Sequence, residues 1–133
     1  MKQSKARRKV LLAGLGGLLA DLGIPRAEAQ DAARVMPRAY RVAFENDQVR
    51  VLDFVGRPGM GVCGEGMHSH PAHLTIVMGD WQGVATASDN ATTPRNKKAG
   101  DVFWSAAETH KVENTGKTNA RVMIVELKAP RKA

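Results

Sequence analysis

Three of the chain's four histidines, His68, His70 and His73, fall within six positions, and the fourth, His110, follows forty residues after His70. Residues i and i+2 of a strand project to the same face. An extended Met67–Pro71 segment therefore sends His68 and His70 into one cavity. Pro71 ends ladder pairing and turns the chain, and His73 opens the apolar run Leu74-Thr75-Ile76-Val77-Met78. Convergent neutral imidazoles bind a transition metal without any cysteine. An isolated His-x-His is weak evidence, because most histidines are satisfied polar or surface residues. The argument rests on all four histidines occurring in two blocks, each bounded by glycines and strand-like runs.

The rest of the chain reads in period two. Tyr40, Val42 and Phe44 alternate with Arg41 and Ala43, Asn46-Asp47 marks a turn, and Val49 to Val55 gives a second strand. Pro58, Gly59, Gly61, Gly64 and Gly66 make a glycine-rich approach to the histidines, suited to bulges and close backbone passage. Further strands are expected at Leu74–Met78, Trp81–Thr86, Val102–Trp104 and Lys111–Glu113. Ser88 to Lys98 contains Asn90, Pro94 and Asn96 and is expected as an exposed loop. Thr115 to Asn119 is expected as a hairpin turn, and Arg121 to Lys128 as a strand buried on both faces. About eight short strands with turn signals between them argue an all-β jelly-roll or barrel.

The two histidine blocks resemble the paired motifs of the cupin superfamily. Pro58-Gly59, His68, His70, Val77 and Met78 match the first motif, and Gly100-Asp101, His110 and Asn114 the second. The resemblance spans roughly residues 45–128 and implies a single cupin-type double-stranded β-helix. It also implies a metal held by His68, His70 and His110. Two positions depart from the pattern. The carboxylate slot of the first motif falls at or beside His73, which makes His73 a candidate fourth ligand. The usual proline of the second motif is Ala106, and the spacing to His110 is one residue short.

Residues 1–29 read as a secretory signal. They comprise a basic head from Lys2 to Lys9, an apolar stretch from Val10 to Ile24, and Ala27-Glu28-Ala29 as a cleavage site ahead of Gln30. The pair Arg7-Arg8 fits a degraded twin-arginine signal or an ordinary Sec signal equally, so a periplasmic or secreted location is expected by either route. The apolar stretch is too short and too interrupted by Asp21 for a membrane span. Residues 30–39 are expected as a flexible arm or one helical turn, 40–128 as the barrel domain, and 129–133 as a basic tail.

The leader carries a net +4 of the chain's formal +7, leaving +3 on the remainder. That is no nucleic-acid footprint. The single cysteine, Cys63, excludes an internal disulfide, and its register relative to His68 favours a small buried apolar role over ligation.

The expected cofactor is one divalent transition metal: iron, copper, zinc, nickel or manganese. Such a centre supports a dioxygenase-like enzyme, a Lewis-acid lyase or isomerase, or a non-catalytic metal or ligand binder. The expected partner is a small molecule, with a homodimer plausible through an edge strand. Glu65 and Glu108 are the carboxylates near the histidines in sequence. Glu108 is a candidate general base, set against the blander reading of a solvated loop carboxylate. Phe54, Ile76, Val77 and Phe103 are expected as apolar walls, and Trp81 and Trp104 can join them or pack in the core.

Overall fold

A computed structural model describes residues 31–59 and 67–130. The expected leader, Cys63, Glu65 and the glycines at 61, 64 and 66 lie outside these residues, as do the last three residues of the basic tail.

One helical turn, α1 (Ala32–Val35), precedes nine strands among the described residues: β1 (Tyr40–Glu45), β2 (Val49–Gly56), β3 (His68–His70), β4 (His73–Val77), β5 (Trp81–Ala87), β6 (Thr92–Lys97), β7 (Val102–Ser105), β8 (Glu108–Asn114) and β9 (Ala120–Leu127). They form a five-stranded sheet in the order β1-β2-β9-β4-β7 and a four-stranded sheet in the order β3-β8-β5-β6. The chain is all-β, with every strand pair antiparallel, as the sequence pattern implies.

The core lies between the sheets and is built from Tyr40, Leu52, Phe54, Val77, Trp81, Val122 and Ile124. Leu52 is fully buried, in register with Ile124. Burying one such side chain contributes about 1.5–3 kcal/mol. The β1–β2 hairpin closes on Asn46, whose Oδ1 accepts from the backbone of Gln48 and Val49.

Four expectations are corrected. Residues 92–97 form strand β6 rather than loop. The hairpin to β5 turns at Asn90, which takes φ +67°, and Asp89 Oδ1 accepts from Ala91 N. Pro94 is tolerated because β6 is an edge strand, where a missing N–H costs no ladder bond. Residues 115–119 are not a hairpin, since β8 and β9 belong to different sheets. The fully buried Asn114 ties this crossing down, donating Nδ2 to the carbonyls of Gly56 and Thr118. Strand β9 is fully buried on one face, where Ala120, Val122, Ile124 and Glu126 point in; on the other, Met123 and Val125 are partly buried and only Arg121 and Leu127, toward its ends, are exposed. In β1 only Tyr40 is buried; Val42 and Phe44 lie exposed on the sheet edge, with a register shift between them.

The segment before β1 is packed rather than free. Asp31 caps α1 by accepting from Ala33 N and Arg34 N, Ala32 is fully buried, and Asp31 bridges Ser69 of β3. It covers the outer edge of the histidine strand.

Candidate metal centre

Strand β3 carries His68 and His70 on one face, both buried, while Ser69 points to the other and meets Thr109 at 2.7 Å. Its partner is β8, in which His110 stands directly opposite His68 and Glu108 opposite His70. Cross-strand pairing thus joins two histidine blocks forty residues apart. Ring centroids are 5.0 Å apart for His68 and His70, 4.8 Å for His68 and His110, and 5.5 Å for His70 and His110. One ring nitrogen from each of His68, His70 and His110 lies within 4.8 Å of the other two.

This geometry sits in a fold with many relatives of known structure. A cupin domain from Bordetella pertussis superposes with a TM-score of 0.59 at 20% identity, over 68% of this chain and 92% of that one. A protein from Bacillus halodurans gives 0.54 at 17% identity, over 70% and 72%. An RmlC-like cupin with a double-stranded β-helix from Methanocaldococcus jannaschii gives 0.53 at 14%, over 66% and 77%. The chain has the cupin fold. No family model and no curated protein matches the sequence.

A second layer of side chains fixes the rings. Glu126, on the central strand β9 of the opposite sheet, is 1% exposed. Its Oε1 lies 2.7 Å from His70 Nδ1, so that nitrogen carries the proton toward the carboxylate. Arg50, in register with Glu126, donates Nε to its other oxygen at 2.7 Å and also pairs with Asp31. The line Asp31, Arg50, Glu126, His70 therefore runs from the N-terminal segment to the site. His68 Nε2 lies 3.0 Å from the hydroxyl of Tyr40.

These residues fit a metal. With Nδ1 engaged by Glu126, His70 presents Nε2, which is buried and has no hydrogen-bond partner among the described residues. A carboxylate behind a histidine is the usual support for a metal ligand, because it sets the tautomer and raises basicity. Two metal–imidazole bonds of about 2.1 Å span at most about 4.2 Å. Ring rotations that move the nitrogens by a few tenths of an ångström close the observed spread.

His73 stands beside the three without joining their group. Its Nδ1 donates to the carbonyl of Pro71 at 2.7 Å, and its Nε2 lies 3.6 Å from Glu108 Oε1. Burial holds His73 below the ordinary imidazole range, so its Nε2 is a lone pair facing a carboxylate. Glu108 is the first residue of β8, half-buried, and not a solvated loop carboxylate. The His110 ring, 3.3 Å away, holds its carboxyl down to about 2, against burial that acts to raise it.

A cavity of about 60 Å³ opens beside the rings, walled by Phe54, Trp81, Phe103 and Ile124 among others. Phe54 and Phe103 take the expected places. Val77 is packed in the core, Ile76 does not reach the cavity, and Trp104 is 56% exposed on the outer face of β7.

Sequence reasoning missed Asp31, Tyr40, Arg50, Arg95 and Glu126. Glu126 left a signal: it is in phase with Val122 and Ile124, an acid on the buried face of an apolar strand.

Proposed function

We propose that His68, His70 and His110 hold one divalent transition metal, and that this cupin is a metal-dependent enzyme acting on a small molecule in the adjoining cavity. The observation that carries the metal reading is His70, whose tautomer is set by a buried carboxylate and whose Nε2 is left facing the other two rings. A metal at that point supplies Lewis-acid polarisation or, as iron or copper, dioxygen chemistry.

The chain's own residues supply the rest. His73 Nε2 presents a proton acceptor at the rim with the Glu108 carboxylate beside it, which suits removal of a proton from a bound substrate and stabilises the imidazolium that results. Apolar walls exclude water from that contact. This pair favours an enzyme over a passive binder.

Metal analysis tests the first step. The wild-type chain should bind one zinc, iron or copper per chain, and His110→Ala should lose stoichiometric binding. Full occupancy in that variant sinks the assignment. Metal identity then sorts the chemistry: a dioxygenase consumes oxygen only with iron or copper, whereas a lyase or isomerase turns over without oxygen and tolerates zinc. A chain that does neither, yet gains about 2.7 kcal/mol at a hundredfold excess of metal over its dissociation constant, is a binding protein.

The basic, apolar leader with Ala27-Glu28-Ala29 supports export to the periplasm or beyond, with a mature chain from Gln30. No helix among the described residues is long and apolar enough to cross a membrane. Exposed Phe44 on β1, and Val102 and Trp104 on β7, the two edges of the larger sheet, support a homodimer.

A further inference from the structure

Two residues of the apolar cavity bring hydrogen-bond donors that the protein leaves unused. Trp81 is 8% exposed, and its indole Nε1 has no hydrogen-bond partner among the described residues. Arg95 reaches the same cavity from β6 and makes no hydrogen bond or ion pair among the described residues.

The two are neighbours on one sheet face. Gly83 pairs in register with Arg95. A Cβ placed on Gly83 would lie 2.5 Å from Trp81 Cζ3, so the six-membered ring of the indole lies across Gly83, beside Arg95, with its N–H on the opposite edge. The missing side chain at position 83 is what admits the ring. Arg95 and Lys97 are partly buried while Pro94 and Asn96 between and beside them are exposed, so both cations face inward. Lys97 Nζ stands 4.1 Å from the centre of the Phe103 ring, and Phe103 lines the cavity. The acid that feels Arg95 is Glu108, which already faces His110 and His73. Positive charge at this end of the cavity is therefore left for an incoming anion. Inward charges on an edge strand also deter edge-to-edge pairing, but that role does not require Arg95 to line the cavity.

We propose that the cavity binds a small organic carboxylate, its carboxylate taken by Arg95 and its short apolar body lying against the Trp81 and Phe103 rings, with the far end toward the histidines. The assignment of that far end rests on the metal-centre reading; the anion subsite does not. Size narrows the class. A water needs about 10–15 Å³ of such space, so the cavity of about 60 Å³ takes an acid of only a few carbons.

Calorimetric titration of the mature chain, with and without one equivalent of zinc, tests this with propionate against propionamide. Propionate should bind at least about tenfold more tightly, since hydrogen bonds to a charged partner are the stronger kind. Arg95→Gln should cost about tenfold or more in propionate affinity, and Trp81→Phe, which keeps a ring against the substrate and removes only the N–H, should stay within a few-fold. Arg95→Lys keeps the charge on the edge strand, guards against misfolding, and should still bind several-fold more weakly. Zinc content should be unchanged in all three variants.

Equal affinity for acid and amide overturns the proposal. So does Arg95→Gln that binds propionate like wild type, including a variant that merely aggregates more; that outcome assigns Arg95 to edge protection. Propionate binding that needs zinc and ignores Arg95 places the acid on the metal and overturns it too. Propionate binding that depends on Arg95 in a chain that takes up no zinc would sink the metal reading and leave this one standing.

Discussion

Two glutamates touch the histidines of this site, and they do so in opposite ways. Glu126 is 1% exposed, reached from the far sheet, and clasped between Arg50 and His70. Glu108 retains 29% of its side-chain surface and lies between His110 and His73 at 3.3 Å and 3.6 Å. The same functional group is rigid in one place and adjustable in the other. A carboxylate with both oxygens committed can only orient its neighbour; one at the cavity rim can steady a proton taken up by His73 or meet a substrate. The contrast predicts that Glu126 governs stability and metal affinity, and Glu108 governs chemistry.

The largest effect should come from Glu126→Ala. It leaves Arg50 with Asp31 as its remaining partner and the His70 Nδ1 without its acceptor in the interior; removing one partner of a buried ion pair costs about 3–5 kcal/mol, which sets the upper end here. Denaturant unfolding of the metal-free chain measures this. A loss below about 1 kcal/mol would show that Glu126 is not the anchor described.

Next is the pair of conservative changes. Glu126→Gln keeps the shape and should weaken metal binding about 10–100-fold, the usual cost of losing an outer carboxylate. Glu108→Gln should leave metal affinity within a few-fold and reduce turnover by about 100-fold or more. Competition with a metal-sensitive dye reads the first quantity for both variants. Equal losses of affinity would erase the distinction between the two carboxylates.

His73 sharpens the comparison further. If it belongs with Glu108 as a proton acceptor, His73→Ala lowers turnover and leaves one metal bound per chain. If it is a fourth ligand, the same change lowers affinity. A pH-matched metal titration separates the two; the Nδ1 contact with Pro71 leaves Nε2 free for either role, and the place of His73 outside the group of converging ring nitrogens favours the first.

The different visibility of the two glutamates has a physical origin. Glu108 is two residues before His110, so a motif reading finds it at once, and period two carries it to the same face of β8. Glu126 lies 56 residues from His70, and only the pairing of β9 beside β4, which sets it opposite His73, brings it to the site. No local pattern encodes that pairing. The histidine block, the hairpin at Asn46 and most strands were legible because turn chemistry and alternation are local. Strand β6 was not, because Pro94 and Asn96 imitate a loop, and only an edge position makes a strand of such residues. The docked turn at Asp31 was hidden for a related reason: its partner Arg50 is one of many basic residues until β2 aligns it with Glu126.

A third carboxylate supplies the control, with the smallest expected effect. Asp53 sits on β2 away from every histidine, 2.9 Å from Arg41 and 3.5 Å from Arg121. The Arg41 hydrogen bond, with Arg121, holds its carboxyl below the ordinary range in spite of burial. The sign follows from that direction. A folded-state pKa below the unfolded value binds fewer protons, so the contribution is complete above about pH 4 and is lost as pH falls through the folded value. Arg41 is 73% exposed, so salt screens this term and it stays small. Asp53→Asn should therefore flatten the fall in melting temperature between about pH 4 and pH 2.5 while leaving metal affinity untouched. Melting curves of the metal-free wild type and variant at pH 6, 4 and 3 decide it. An unchanged slope would mean that the Arg41 contact does not persist in solution. A lost metal site would mean that the five-stranded sheet transmits strain from β2 to the histidines, and the separation of anchoring and reacting carboxylates would have to be redrawn to include Asp53.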